Sequence, residues 1–355
     1  MLIVYLHPMK FNEILINWYS VNKRDLPWRH TTNPYKIWLS EIILQQTQVK
    51  QGAPYYATFL SAFPSVFDLA NADEAQVLKL WQGLGYYSRA RNLHATAKYI
   101  ANELHGVFPD TYKDLVKLKG VGDYTASAIA SFCFNAPTAV VDGNVYRVLS
   151  RYFGIHTAIN STKGAKAFKL LAQELIDKKQ PAIFNQAIME FGATHCKPKQ
   201  PKCSSCPYKD SCVALQKRQV DVLPVKIKAL KAKKKFFNFM VFLSNNNKTI
   251  LEQRTGKGIW QNLYQFPLLE TPTAASIDTV LQFVSHQSFL KHSTFDVVLY
   301  NKDAVVHKLS HQHLYTSFWI VKVAGDLKQG VEFNNVNNYA VPVVISNFIE
   351  QFNFN

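Results

Sequence analysis

Two carboxylates in unlike sequence surroundings are the first candidates for chemistry. Glu41 is the only acidic residue between Lys36 and Val49, and its immediate neighbours are mostly apolar. Burial among such neighbours raises the pKa of a carboxyl group, so Glu41 could keep a proton to donate. Asp142 opens an Asp-Gly pair that leads to Asn144. It either begins an ordinary turn or stays ionised as a second functional carboxylate. One protonated and one ionised carboxyl group together supply what cleavage of a glycosidic bond needs.

The cysteines indicate a second kind of site. Four of the five lie within a C-x6-C-x2-C-x5-C pattern, namely Cys196, Cys203, Cys206 and Cys212. Lysine and proline residues surround them, which argues against four buried structural thiols. Thiolates that close a loop of this size hold zinc or an iron–sulfur cluster, and the spacing alone does not distinguish the two. The clustering suits a reducing compartment, so we expect a cytoplasmic protein.

A glycine pair precedes a run of small residues. Gly120 and Gly122 bracket Val121, and a run of good helix formers follows from Thr125 to Ala130. This pattern predicts a helix, a tight hairpin and a second, closely packed helix. The exposed N–H groups at the start of the second helix would suit a phosphate, although an ordinary helix–helix turn explains the same pattern.

Charge divides the chain into two parts. There are 40 Lys and Arg against 24 Asp and Glu, a formal net charge of +16. Residues 1–235 hold 32 basic and 16 acidic residues, whereas residues 236–355 hold eight of each. The imbalance predicts a polyanionic partner for the first part alone. No apolar run reaches the ~18 residues of a membrane span, and residues 1–8 do not have the basic start of a signal peptide, so we expect no membrane partner.

Aromatic and arginine residues occur together in two other stretches. Trp28 and Arg29 pair a stacking surface with a planar donor fork. Tyr86 follows two glycines and precedes Arg89 and Arg91, a combination that could wedge into a nucleic acid and bind its phosphates. The alternative is a tyrosine in the core and arginines in solvent.

The expected elements arrange these residues as follows. A helix over Lys36–Val49 would place Glu41, Gln45 and Gln48 at i, i+4 and i+7, on one polar stripe. Helical patterns continue to about residue 195, and strand patterns begin after residue 235. We therefore predict a helical domain over residues 9–213, a basic linker over 214–235 and a small α/β domain over 236–355.

Several motifs now agree in order with one family. The first domain resembles the helix-hairpin-helix DNA glycosylases, and Trp38–Glu41, Gln45–Val49 and Gly83–Tyr87 are similar to the MutY-type adenine DNA glycosylases. The cysteine spacing resembles that family's [4Fe–4S] loop, and the trailing domain resembles its Nudix-like recognition domain. The resemblance covers nearly the whole chain. It implies a mainly α helix-hairpin-helix glycosylase domain with an iron–sulfur cluster loop, followed by a small α/β Nudix-like domain.

The resemblance also implies an activity. A monomer would remove adenine mispaired with 8-oxoguanine or guanine in double-stranded DNA, with Glu41 protonating the adenine and Asp142, beside Asn144, supporting the sugar cation. Residues implied to contact the extruded adenine or to fill the emptied stack are Trp28, Arg29, Gln45, Gln46, Tyr86 and Gln186. Those implied to bind DNA phosphates are Gly120, Gly122, Arg89 and Arg91. Some relatives have Glu where this chain has Gln186.

The resemblance implies that a loop of the second domain recognises 8-oxoguanine. Leu309-Ser310-His311 resembles the family's Phe-Ser-His loop, with Leu309 in place of the Phe. The Ser310 hydroxyl could accept from N7–H of 8-oxoguanine or donate to its C8 oxygen. The alternative is that Ser310 only satisfies a strand end.

Three alternative functions differ from this one in particular residues. An endonuclease III-like glycosylase/lyase would attack the sugar with a lysine just after the hairpin, where this chain has Tyr124, and a phenol cannot form a Schiff base. A Nudix pyrophosphohydrolase would need a Glu-rich metal helix, but the corresponding stretch has only Glu270 and Asp278. A non-catalytic mismatch-binding module would not need both Glu41 and Asp142.

Overall fold

A computed structural model describes residues 8–228, 232–290, 293–352 and 354. The chain divides into two compact units. The first comprises Met1–Ala70 and Ala95–Lys228, and the second comprises Asn71–His94 and Ala229–Asn355. The segment 71–94, which the sequence analysis assigned to the helical domain, therefore packs with the second unit. The sequence analysis predicted from residues 1–8 that there is no signal peptide. Residues 1–7 lie outside the described residues.

Helices dominate the described part of the chain before residue 229. Their bounds are α1 Pro8–Asn22, α2 Pro34–Leu44, α3 Val49–Ala62, α4 Val66–Asn71, α5 Glu74–Leu80, α6 Ser88–Asn102, α7 Tyr112–Leu115, α8 Asp123–Phe134, α9 Gly143–Phe153, α10 Thr162–Leu175, α11 Pro181–Thr194 and α12 Val213–Gln216, with a 3₁₀ helix at Pro27–Arg29. No helix among the described residues is long and apolar enough to cross a membrane.

The predicted helix–hairpin–helix is present in α7, the following turn and α8. Gly120 has φ +79°, a left-handed conformation that glycine adopts without strain, and it lets the chain reverse. Small side chains on α8 allow close packing, because Ala126, Ala128 and Ala130 are fully buried. α8 packs against α2 and α11. The hairpin therefore brings the start of α8 beside the helix that carries Glu41.

The core of the first unit lies between α1, α9, α10 and α11. Phe11 and Leu15 of α1 are buried against Phe168 of α10 and Phe184 of α11. These positions follow helical spacing in the sequence, so amphipathic periodicity accounts for the packing.

The single long helix predicted over Lys36–Val49 is wrong after Leu44. α2 ends at Leu44, and α3 begins only at Val49. Gln46 has φ +55°, a left-handed conformation that ends a right-handed helix. Gln45 and Gln48 are consequently terminal positions of two helices, and the predicted polar stripe with Glu41 does not exist.

The second unit contains a mixed sheet. The bounds of its described elements after residue 231 are β1 Lys233–Leu243, β2 Lys248–Thr249, β3 Glu252–Gln253, β4 Tyr264–Gln265, β5 Leu268–Thr271, α13 Ile277–Ser285, β6 Thr294–Leu299, β7 Val305–Lys308, β8 Gln312–Ala324, β9 Val331–Glu332 and α14 Val343–Gln351, with 3₁₀ helices at Ser288–Leu290 and Phe333–Asn338. The strand order is β5-β1-β8-β6, and β7 also pairs with β8. β1 and β8 are parallel, with Phe239 opposite Phe318.

The predicted fold class is confirmed: a helical unit is followed by a small α/β unit. The predicted linker, residues 214–235, contains most of α12 and the first three residues of β1. Residues 229–231 of that linker lie outside the described residues.

Candidate active site

Glu41 is a buried acid on α2, with only 8 % of its surface exposed. Burial raises its pKa to about 7. The Tyr124 hydroxyl, as a hydrogen-bond partner, and the positive charge of Arg29 lower that pKa, whereas the negative charge of Asp142 raises it. The expected proton on Glu41 is therefore supported by its surroundings, and Tyr124, Arg29 and Asp142 all lie close enough to influence its charge.

Asp142 is a partly exposed carboxylate that caps the start of α9, and it differs in this from the buried Glu41. Its Oδ1 accepts hydrogen bonds from the backbone N–H groups of Asn144 at 2.9 Å and Val145 at 2.8 Å. Its Oδ2 accepts from the side-chain amide of Asn144 at 2.7 Å. Burial raises the pKa of Asp142, and these three hydrogen bonds act in the opposite direction. They favour the ionised form.

Asn144 is in turn held by Arg147. Arg147 Nη2 donates to Asn144 Oδ1 at 2.8 Å and to the Gly192 carbonyl at 2.7 Å. Its Nε donates to the carbonyl oxygen of Cys196 at 2.7 Å. One buried guanidinium group thus connects the support of Asp142 to the first residue of the cysteine loop.

Tyr124 lies on α8, one residue beyond its start. Its hydroxyl donates to Met189 Sδ at 3.4 Å and is also a hydrogen-bond partner of Glu41. Burial raises the pKa of Tyr124 well above its usual value, and the nearby charges of Glu41 and Asp142 raise it further. Tyr124 is therefore a neutral phenol that is bonded to Glu41 and lies within electrostatic range of Asp142.

The Arg29 guanidinium group is held by Glu190, an acid that the sequence analysis did not identify. Arg29 Nη2 donates to Glu190 Oε2 at 2.6 Å, and its Nη1 donates to the Arg24 carbonyl at 3.0 Å. The guanidinium carbon also lies 5.6 Å from the centre of the Tyr19 ring. The Arg29 side chain is 12 % exposed, so most of its surface is in contact with the protein.

The remaining predicted base-contacting residues of this unit have identified neighbours. Gln186 Oε1 accepts a hydrogen bond from the Tyr19 hydroxyl at 2.7 Å. Gln45 Nε2 donates to Thr125 Oγ1 at 3.1 Å. Trp28 is buried and packs edge-on against Tyr56 at 5.3 Å between ring centres, so packing explains much of its presence.

The predicted phosphate-binding glycines lie at the hairpin. Gly122 is the residue before α8, and a Cβ built on it would meet nothing within 4 Å. The backbone here is open to an approaching group. Asp123, at the first position of α8, is paired with Lys169 at 3.0 Å, which offsets the negative charge at this helix start.

The four predicted cysteine ligands share one neighbourhood. Burial raises the pKa of Cys206 to about 12, and nearby Cys196, Cys212 and Cys203 contribute to the increase. Arg151 Nη1 lies 3.5 Å from Cys196 Sγ, and the Cys212 thiol donates to the Arg151 carbonyl at 3.5 Å. Among the described residues, no three His, Cys, Asp or Glu side chains are grouped closely enough to hold a single metal ion.

Tyr86 and Ser310 meet within the second unit. Tyr86 is 49 % exposed, and its φ of +48° is unusual for a residue other than glycine. Its hydroxyl lies 2.7 Å from Ser310 Oγ in the turn between β7 and β8. Both line a cavity of about 600 Å³, together with His311 and Trp260. The structure thus brings together two residues that lie far apart in the sequence.

The two predicted phosphate-binding arginines of this unit are already engaged. Arg89 Nη2 donates to the carbonyl oxygens of Leu84 and Gly85, both at 3.2 Å, and burial lowers the pKa of Arg89 to about 10. Arg91 Nη1 donates to the Gln261 carbonyl at 2.8 Å. These contacts stabilise the unit, and phosphate binding by either arginine stays a prediction.

Sequence reasoning missed Glu190 and Arg147. Glu190 stands alone among apolar residues of α11, which is the same signal that identified Glu41, and it is 1 % exposed. Arg147 belongs to an amphipathic helix, where an arginine is usually assigned to the solvent face. No sequence signal distinguishes the buried Arg147 from an exposed one.

Comparisons with known proteins agree with this geometry. Residues 39–177 match the HhH-GPD superfamily of base excision DNA repair proteins, and residues 238–351 match the NUDIX domain. The adenine DNA glycosylase of Buchnera aphidicola subsp. Schizaphis graminum is 33 % identical over 96 % of this chain and 98 % of its own length. That of Buchnera aphidicola subsp. Baizongia pistaciae is 36 % identical over 88 % of this chain and 86 % of its own.

A solved structure is similar to part of this chain. A thermostable thymine-DNA glycosylase is 31 % identical, with a TM-score of 0.55, over 59 % of this chain and 97 % of its own length. The two matched domains follow each other in the order predicted from the sequence. Because relatives above 30 % identity align along nearly its whole length, the chain belongs to the adenine DNA glycosylase family.

Proposed function

We propose that this protein is a monofunctional glycosylase that hydrolyses the N-glycosidic bond of adenine opposite 8-oxoguanine or guanine in double-stranded DNA. The observation that carries the proposal is the buried Glu41, whose pKa is raised to about 7 by burial and which has Tyr124 and Asp142 as neighbours. An acid with that pKa is about half protonated at neutral pH, so it can donate a proton in each catalytic cycle.

Adenine is a poor leaving group because the departing base would carry negative charge. Glu41 donates a proton to a ring nitrogen, so the base departs neutral. Tyr124 shares a hydrogen bond with Glu41 and directs the carboxyl group. The adenine must leave the base stack to reach this acid.

The sugar then develops positive charge, and Asp142 faces it as an anion. Three hydrogen bonds hold both carboxylate oxygens of Asp142 in place. A preorganised charge of this kind stabilises the oxocarbenium-like transition state without reorganisation. Asp142 also orients the attacking water. Asn144 contributes one of the three hydrogen bonds through its side chain.

Residues of the first unit bind the extruded adenine. Arg29 and Gln186 bind the extruded adenine, beside Trp28, and Gln45 supports this pocket through Thr125. Tyr86 and Gln46 fill the stack around the opposite purine. Both residues have a left-handed backbone conformation, with φ +48° at Tyr86 and +55° at Gln46. This conformation suits a residue whose side chain projects outward from a turn.

Ser310 and His311 read 8-oxoguanine from the turn between β7 and β8. The Ser310 hydroxyl can exchange its Tyr86 partner for the N7–H or C8 oxygen of the lesion. The charge excess of residues 1–235 attracts the DNA backbone, which Gly120 and Gly122 approach at the hairpin.

Cys196, Cys203, Cys206 and Cys212 would hold a [4Fe–4S] cluster. Such a cluster supplies a rigid, locally charged anchor for the lysine-rich loop that contains them. The protein acts as a cytoplasmic monomer.

An excision assay on three duplexes tests the proposed function. Duplexes with adenine opposite 8-oxoguanine, guanine or thymine are incubated with excess protein, and abasic sites are revealed by alkali. We expect excision opposite the two purines, fastest opposite 8-oxoguanine, and an intact strand before alkali. Equal rates on all three duplexes would refute mispair recognition, and strand cleavage without alkali would refute the monofunctional mechanism.

A further inference from the structure

Glu190 is a fully buried carboxylate to which the proposed chemistry assigns no role. Its side chain has no exposed surface. Oε1 accepts from the backbone N–H of Arg24 at 3.1 Å and from its Nε at 2.7 Å. Oε2 accepts from Arg24 Nη2 at 2.8 Å and Arg29 Nη2 at 2.6 Å. Burial alone would raise the pKa of Glu190, but the hydrogen bonds from both arginines outweigh it, and the pKa is lowered.

These contacts leave Arg29 little rotational freedom. One terminal nitrogen is held by Glu190 and the other by the carbonyl oxygen of Arg24. The Tyr19 ring, whose hydroxyl is bonded to Gln186, lies beneath the guanidinium group. Charge-assisted hydrogen bonds in a buried site fix direction as well as distance. Glu190 therefore determines which way Arg29 points.

We propose that Glu190 is a positioning residue for adenine excision: it orients Arg29 toward the extruded base and offsets the positive charge that Arg29 directs at Glu41. The inference rests on the proposed function. It differs from that proposal in assigning a role to a residue that does not touch the substrate.

The second part of this role follows from the charges around Glu41. Burial raises the pKa of Glu41, the bond to Tyr124 lowers it, the charge of Asp142 raises it and the charge of Arg29 lowers it. Cys133 also lies within electrostatic range of Glu41. Around Arg29, the charged and titratable neighbours are Glu190, Arg24 and Tyr19. If Glu190 loses its charge, the positive charge of Arg29 is no longer offset and Glu41 releases its proton at a lower pH.

The primary test compares the pH profile of Glu190→Gln with that of wild type in single-turnover excision, from about pH 5.5 to about pH 9. Glutamine keeps the size of the side chain but removes its charge. We expect the alkaline fall in rate to begin about one pH unit lower, which is about a tenfold loss of rate above that pH. Glu174→Gln, an exposed glutamate on α10, is the matched control and should reproduce the wild-type profile.

A double-mutant cycle with Arg29→Gln distinguishes positioning from general structural support. If Glu190 acts through Arg29, adding Glu190→Gln to Arg29→Gln should change the rate and its pH profile by less than twofold. Glu190→Asp, which keeps the charge on a shorter side chain, should restore the alkaline limb while the rate remains below wild type. This variant also carries the test if Glu190→Gln does not fold.

Two results would overturn the inference. One is a wild-type pH profile in Glu190→Gln, and the other is an equal loss of rate from this substitution with and without Arg29. If wild type itself excises no adenine, the proposed function fails instead, so the two failures are distinguishable.

Discussion

Replacing Glu41 with glutamine should separate proton donation from the other properties of the site. Burial raises the pKa of Glu41 from 4.5 to about 7. At pH 7 about half of the molecules then carry the proton, whereas a carboxyl group of pKa 4.5 would be roughly 0.3 % protonated. The environment of Glu41 therefore increases the competent fraction roughly 150-fold. Glutamine keeps the shape and one hydrogen-bond acceptor but has no proton of this acidity.

The assay is single-turnover excision of adenine opposite 8-oxoguanine, with binding to the same duplex measured in parallel. General acid catalysis contributes about 10²–10⁴-fold, so Glu41→Gln should lose at least the lower value while binding stays within about threefold of wild type. In wild type the rate should fall as pH rises through about 7, where Glu41 loses its proton. Activity of Glu41→Gln within tenfold of wild type would refute the assigned role.

The same substitution should change stability in a direction set by pH. The folded-state pKa of Glu41 lies above its unfolded value, so ionisation is unfavourable in the native state. The cost is absent below about pH 4.5, grows as pH rises and is complete above about pH 7, where a shift of this size corresponds to about 3 kcal/mol. Glu41→Gln should therefore unfold at a higher denaturant concentration than wild type at pH 8 but not at pH 4.5. An equal effect at both pH values would contradict the raised pKa.

Four further outcomes test other parts of the site. Borohydride should trap little covalent product with wild type, because Tyr124 has no amine, and efficient trapping would revive the lyase mechanism. Arg147→Lys should slow excision about tenfold or more, since the side chain of Asn144 loses its donor, and an unchanged single-turnover rate would exclude that support. Cys203→Ser should lower the iron content and the DNA affinity more than it lowers the rate at which adenine is excised from bound DNA. Wild-type protein that is purified anaerobically and contains zinc without iron would contradict the [4Fe–4S] cluster. Ser310→Ala should reduce the preference for 8-oxoguanine over guanine by about tenfold, measured as the ratio of excision rates on the two duplexes.

Local sequence patterns were sufficient to predict features whose packing and chemistry depend on neighbouring residues. An acid alone in an apolar run predicted the burial of Glu41. The Asp-Gly pair indicated a turn at Asp142, and the structure shows that Asp142 caps α9 there. The glycine spacing gave the hairpin, because Gly120 needs the left-handed conformation that it adopts. In each case the determinants lie within a few residues of the feature that they predict.

Long-range contacts and strained backbones were not predictable in this way. Gln46 and Tyr86 take left-handed conformations although neither is glycine, and no local propensity favours this. The assignment of residues 71–94 to the second unit depends on distant pairs such as Glu74 with Asn262. The role of Glu190 depends likewise on arginines more than 160 positions earlier in the chain.

Burial alone does not decide which of the two carboxyl groups proposed to be catalytic carries the proton, because it raises the pKa of both. The difference lies in their hydrogen bonds. Asp142 accepts three hydrogen bonds at a helix start, two of them from backbone N–H groups, and all three favour its charged form. Glu41 has the single phenol of Tyr124 and feels the negative charge of Asp142. When one proton is shared between the two sites, it therefore resides on Glu41, and this asymmetry supports the proposal that Glu41 is the acid and Asp142 the anion that faces the sugar.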